Sequence, residues 1–149
     1  MRTLFLSIIL ACSAAGLSQQ KDPVKWSARY ASTGEKTGEI HITGTIEKGW
    51  HTYSQRATDA GPVPTRITLA PSEQYKASGE PEEMGAVEEL DPAFEAKLFV
   101  FHEKAEFKQK INLSGQVPLI IPITVEYMSC NNMMCLPPKT VSLQVQVLK

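Results

Sequence analysis

Cys130 and Cys135 are the residues of this sequence best suited to do chemistry. They lie in Tyr127 to Lys139 (YMSCNNMMCLPPK), four residues apart, with Met128, Met133 and Met134 around them. Three uses fit such a pair. The first is a structural staple, but a closed loop of six residues stabilises by only about 2 kcal/mol, against nearly 5 for a hundred-residue loop. The second is a soft-metal site, because two thiolates and three thioethers suit Cu(I); methionine also fills irregular gaps and lines adaptable contact surfaces. The third is reversible thiol–disulfide exchange, in which a pair on a reachable loop is opened and closed by a partner's thiols. The spacing alone leaves all three open.

Other chemistries find no support. The formal net charge of −1 provides no basic surface for nucleic acid and no acidic tail. The sequence has no glycine-rich phosphate loop, no GxSxG elbow, no HExxH motif and no paired CxxC zinc arrangement. His41 falls on the polar side of an alternating segment and His102 in a charged turn, so both read as surface histidines. No cofactor or metal is expected.

The compartment decides how the cysteines are read. Residues 1–18 combine Arg2, a short apolar run from Thr3 to Ala11, and small residues at Ser13, Ala14, Ala15, Gly16 and Ser18. That is the layout of a secretory signal peptide, and the run is too short to span a bilayer. Cleavage after Ser18 leaves residues 19–149 as the mature domain, with Arg2 lost and the charge at −2. The competing reading is a lipoprotein signal with Cys12 as a lipid anchor; Leu10 fits that poorly. Either way the mature chain keeps an even pair of cysteines in an oxidising compartment.

The elements that must position the pair are strands. Gly38 to Glu47 alternates Ile40, Ile42, Gly44 and Ile46 against polar residues, and Val141 to Val147 alternates as regularly. Further strands are expected at Lys25 to Ala31, His51 to Ser54, Arg66 to Leu69, Lys97 to Phe101, Ala105 to Leu113 and Leu119 to Tyr127. Gly79 to Pro92, rich in Glu and Asp, reads as a long acidic loop. Short strands at this spacing, with no convincing helix, predict a single all-β, antiparallel two-sheet sandwich, with a small closed barrel as the alternative. The strands ending at Tyr127 and beginning at Thr140 are hairpin neighbours, which brings Cys130 and Cys135 within disulfide reach.

Three further segments complete a pattern. Gly49 to Gln55 (GWHTYSQ) with Gly61 to Thr65 (GPVPT), Asp91 to Phe94 (DPAF) with Lys97 beyond, and the cysteine segment together resemble the periplasmic N-terminal domain of the transmembrane thiol reductase DsbD, as a single-domain relative. The resemblance covers nearly all of the mature chain. It implies an immunoglobulin-like β-sandwich whose cysteine pair carries electrons, a protein-disulfide reductase type of oxidoreductase. Its partners would be thioredoxin-like periplasmic or membrane-bound redox proteins. By position, Cys135 matches the cysteine that forms mixed disulfides and Cys130 the resolving one. Phe94 matches an aromatic cap over the disulfide, with His51 and Tyr53 flanking the site. The cysteines here are one residue closer together than in the family's best-known member. The chain also ends after its last strand at Lys149, so a separate protein is expected to supply the electrons.

Overall fold

The computed structural model describes residues 21–56 and 61–148. The signal read in residues 1–18, with Cys12, lies outside the described residues. Among the described residues eleven strands follow one another: β1 (Val24–Gly34), β2 (Thr37–Ile46), β3 (His51–Tyr53), β4 (Arg66–Leu69), β5 (Tyr75–Met84), β6 (Val87–Asp91), β7 (Ala96–His102), β8 (Lys104–Leu113), β9 (Leu119–Tyr127), β10 (Ser129–Cys130) and β11 (Lys139–Val147). All pairings are antiparallel, in three open sheets ordered β1-β2-β8-β5, β10-β3-β7-β6 and β11-β9-β4. The result is the expected antiparallel sandwich rather than a closed barrel, with its strands divided among three sheets where two were expected.

The period-2 pattern builds the core directly. Ile40, Ile42 and Ile46 of β2 meet Phe107 and Ile111 of β8 on one side. Ile121, Ile123, Val125 and Tyr127 of β9, Val145 and Val147 of β11 and Phe101 of β7 close the other side. Gly44 interrupts the isoleucine row for a steric reason. Its cross-strand partner is Trp26, and a Cβ at position 44 would stand 3.0 Å from the indole ring. The ring fills the space that a side chain there would occupy, and it packs on Phe107 and Tyr127 at centroid distances of 6.1 and 5.3 Å.

The acidic segment is not the expected loop. β5 runs to Met84 and β6 begins at Val87, so most of it is strand. The alternation that marks a strand is missing because Lys76 to Glu80 are all exposed and β5 is an edge strand of its sheet. The pairing register shifts between Ser78 and Glu82, around Gly79 with φ 72°. What recommends the segment as strand is charge pairing across β8: Glu82 lies 3.5 Å from Lys108 and 2.9 Å from Lys110.

Two turns set up the site. Glu47 to Gly49 reverses the chain with the Trp50 amide donating to the Glu47 carbonyl at 3.0 Å, and Gly49 takes φ 84°, a conformation open to glycine. The turn carries the chain out of the β1-β2-β8-β5 sheet, so that His51 opens β3 in the β10-β3-β7-β6 sheet. At the other end of the molecule's chain order, β9 and β11 form the predicted hairpin, with Tyr127 opposite Lys139 as its last pair.

Candidate functional site

Beyond the Tyr127–Lys139 pair the chain leaves its hairpin sheet. Ser129 and Cys130 form β10 and pair with Thr52 and His51 of β3. This pairing had no signal in the sequence, because two residues are too few for any periodicity to show. It is fastened by the Thr52 hydroxyl, which donates to the Met128 carbonyl at 2.8 Å, while the Leu136 amide donates to the Ser129 carbonyl at 2.9 Å and closes the loop between the cysteines. Cys130 and Cys135 then stand opposite each other as a bridge pair, joined by a disulfide with their Cα atoms 4.0 Å apart.

Asn131 shapes the tip between the two sulfurs. Its side-chain oxygen accepts the amides of Met133 and Met134, both at 2.9 Å, while its own amide donates to the Met134 carbonyl. This is an Asx-type turn, made by the asparagine itself. It leaves Met133 93% exposed and Met134 exposed. The two sulfurs of the disulfide are unequal. Cys130 is fully buried, at 0% exposure, whereas Cys135 is only half-buried.

The residues singled out in the sequence converge here. Cys130 is built into an apolar cluster with Tyr53, Leu98 and Val100, and Phe94, Ala96, Met128 and Cys135 pack against it. Phe94, half-buried, sits edge-on to Tyr53 with ring centroids 6.0 Å apart. It lies in the four-residue turn Pro92 to Glu95 that joins β6 to β7, closed by the pair Asp91–Ala96, with Glu95 in the left-handed region at φ 52°. Tyr53 is thus both a buried aromatic and a wall of the disulfide cluster. His51 is the backbone partner of Cys130 on one side and of His102 on the other.

Two residues of the site were missed by sequence reasoning. Asp91, 1% exposed, joins His51 and Tyr53 in a buried polar group. Tyr53 Oη donates to Asp91 Oδ2 at 2.8 Å, and His51 Nε2 lies 3.1 Å from both that oxygen and Tyr53 Oη. The other oxygen, Oδ1, accepts the amides of Ala93 at 2.8 Å and Phe94 at 3.2 Å. An Asp directly before Pro is a turn-forming signal that could have flagged it. His102, exposed as expected from the sequence, is the second. It closes strand β7 instead of lying in a turn, its ring stands 5.8 Å from that of His51, and Nε2 is 2.9 Å from Glu89 Oε2. His41, by contrast, stays on the outer face beside Glu39 at 3.5 Å, away from the site.

The electrostatics follow from this arrangement. Burial alone would raise the Asp91 carboxyl, but the Tyr53 hydroxyl, the Ala93 and Phe94 amides and His51 outweigh it and hold the group below the usual carboxylate range. Tyr53 is pushed well above an ordinary phenol, first by burial, then by its bond to Asp91 and by the charges of Asp91 and Glu89. The pair therefore stands as carboxylate and phenol across the physiological range.

A β-sandwich that carries a disulfide with one cysteine sealed and the other half-exposed, beside a turn whose Phe94 packs on the same apolar cluster, has the architecture of a thiol–disulfide exchange domain. The family profile described as thiol:disulfide interchange protein DsbD, N-terminal, matches residues 19–146, and the chain belongs to that family. Among solved structures, the DsbD N-terminal domain of Neisseria meningitidis in its reduced form is 16% identical with a TM-score of 0.54, over 85% of this chain and 86% of that one. The N-terminal periplasmic domain of ScsB from Proteus mirabilis is 18% identical with a TM-score of 0.55, over 81% of this chain and 44% of that one. At such identities the likeness is one of fold, an immunoglobulin-like sandwich. No curated protein sequence matches the chain. Domains of this family pass reducing equivalents, and in this chain Cys130 and Cys135 are joined by a disulfide.

Proposed function

We propose that the chain is a periplasmic electron carrier in which Cys135 is the sulfur attacked by partners and Cys130 the resolving thiol. The observation that carries this reading is the unequal burial of the two sulfurs, 0% exposure for Cys130 against a half-buried Cys135. Attack must come along the S–S axis at a sulfur that a second protein can reach. A partner thiolate attacks Cys135 Sγ, a mixed disulfide forms, and the Cys130 thiolate leaves. The partner's second thiolate then attacks its own sulfur in that mixed disulfide and releases the Cys135 thiolate. Two electrons have moved, the partner is oxidised and this domain is reduced. In the onward step Cys135 attacks an acceptor disulfide and Cys130 resolves the product.

Partners of this kind are thioredoxin-like proteins, soluble or membrane-bound, whose dithiols sit at an exposed edge. The exposed Met133 and Met134 beside Cys135 offer them a soft apolar landing surface. Phe94 acts as a cap that shields the pair from small oxidants and lifts when a partner docks, with Tyr53 as the wall it closes against and His51 flanking that wall. Export removes residues 1–18, and the mature domain of residues 19–149 works as a protein-disulfide reductase without a cofactor.

The test is a trap. Cys130→Ser, mixed in its reduced form with an oxidised thioredoxin-like protein, should accumulate a mixed disulfide through Cys135, identified by peptide mass spectrometry; Cys135→Ser should give none. A mixed disulfide formed equally well by Cys135→Ser through Cys130 would overturn the assignment.

A further inference from the structure

All four acceptor positions of the Asp91 carboxylate are taken by groups from two different parts of the fold. On one oxygen, Tyr53 O–H and His51 N–H come from β3, the strand that pairs with Cys130. On the other, the amides of Ala93 and Phe94 come from the turn that bears the cap. A carboxylate only accepts, and Tyr53 donates its one proton to it, so Nε2 of His51 carries a hydrogen in this contact. A buried carboxylate that receives four hydrogen bonds is satisfied only while both parts stay in place, and losing either side leaves it short of partners away from water.

We infer that Asp91 is a positioning residue that latches the Phe94 cap turn to strand β3 and so sets how often the Cys130–Cys135 disulfide is accessible. The inference rests on the reading of Phe94 as the cap. Asp91 sits at the pivot of that turn, at the closing pair with Ala96. Lifting the turn pulls the carboxylate from Tyr53 and His51, so the closed state is held by polar bonds at its root as well as by the contact of Phe94 with the Cys130 cluster. The other charged neighbour is Glu89, two residues back on β6, and it is engaged by His102 instead. The latch and the sulfurs thus share β3: the same strand that receives Asp91 holds Cys130 in register.

The experiment is the rate at which dithiothreitol reduces the disulfide of the purified oxidised protein, read by acid quench and alkylation. Four proteins are compared: wild type, Phe94→Ala, Asp91→Asn and the double variant. Asparagine keeps the carbonyl that accepts the two turn amides, but presents an amino group to Tyr53 and His51, which both present hydrogens. Asp91→Asn should therefore speed reduction about tenfold, the factor that matches the loss of roughly one charge-assisted hydrogen bond from the closed state. The double variant should be no faster than Phe94→Ala, because both changes act through one cap. A merely structural Asp91 would not show this dependence on Phe94. If Phe94→Ala is fast while Asp91→Asn matches wild type, or if the two effects multiply, the latch is overturned and the cap stands. If Phe94→Ala is no faster than wild type, the cap reading falls and the latch with it. Should Asp91→Asn fail to fold, Tyr53→Phe keeps the carboxylate and both turn amides and removes one donor. It should be several-fold faster with the same ceiling, and an unchanged rate would overturn the proposal.

Discussion

Reducing Cys130–Cys135 should leave the sandwich folded and cost about 2 kcal/mol. The bridge closes a loop of only six residues, with a sequence separation of 5, and the loop-entropy relation gives about 2 kcal/mol for that length at room temperature. The core that holds the domain together lies elsewhere. Its buried residues come from β1, β2, β4, β5, β7, β8, β9 and β11 and from Trp50 just before β3, whereas Cys130 belongs to a second, smaller cluster. The same number fixes the redox poise relative to the unfolded chain. By the thermodynamic cycle linking folding and reduction, a native disulfide that stabilises by about 2 kcal/mol is harder to reduce than the same pair in the unfolded chain by about 45 mV, since 30 mV corresponds to roughly 1.4 kcal/mol for two electrons. A carrier needs this modest offset, for a bond strongly stabilised by the fold could not be opened by a partner dithiol. The assay is urea unfolding of the oxidised protein and of the protein kept reduced, paired with redox titration in native buffer and in denaturant. Equal m values with unfolding free energies about 2 kcal/mol apart, and potentials about 45 mV apart, are expected. A reduced protein that is unfolded, or less stable by 4 kcal/mol or more, would refute the reasoning and return the bridge to the role of a staple.

Two other predictions concern the frame and the buried carboxylate. Gly44→Ala should destabilise by about 1–3 kcal/mol, measured by chemical denaturation, because the new Cβ meets Trp26 at 3.0 Å and that ring is itself held by Phe107 and Tyr127; an unchanged midpoint would show that the ring has room to move. Asp91 has a folded-state carboxyl below its ordinary value, so its contribution is fully present above the unfolded value of about 4 and is lost as pH falls through the lower folded one. The stability of wild type should therefore drop more steeply than that of Asp91→Asn below about pH 4, and parallel acid profiles would show that Asp91 carries no such linkage.

What the sequence made legible, and what it hid, divides along a physical line. Strands with one buried face announced themselves: Ile40, Ile42 and Ile46, or Ile121, Ile123 and Val125, alternate because one side of each strand meets the core. β5 was hidden because as an edge strand it exposes consecutive residues, and its evidence lies in Glu82 facing Lys108 and Lys110 on another strand. The cysteines could be named from their spacing and compartment, and Phe94, His51 and Tyr53 from the resemblance of their segments to the DsbD N-terminal family. Their assembly could not, because it depends on β10, two residues long, leaving one sheet to join another. Asp91 shows the limit most sharply. Its partners Tyr53 and His51 lie 38 and 40 positions away, and its other two bonds go to backbone amides of Ala93 and Phe94. Nothing in the identity of those four residues calls for a carboxylate. The requirement arises only when the β6–β7 turn and β3 are brought together, and a buried phenol, an imidazole and two amides all point their hydrogens at one place.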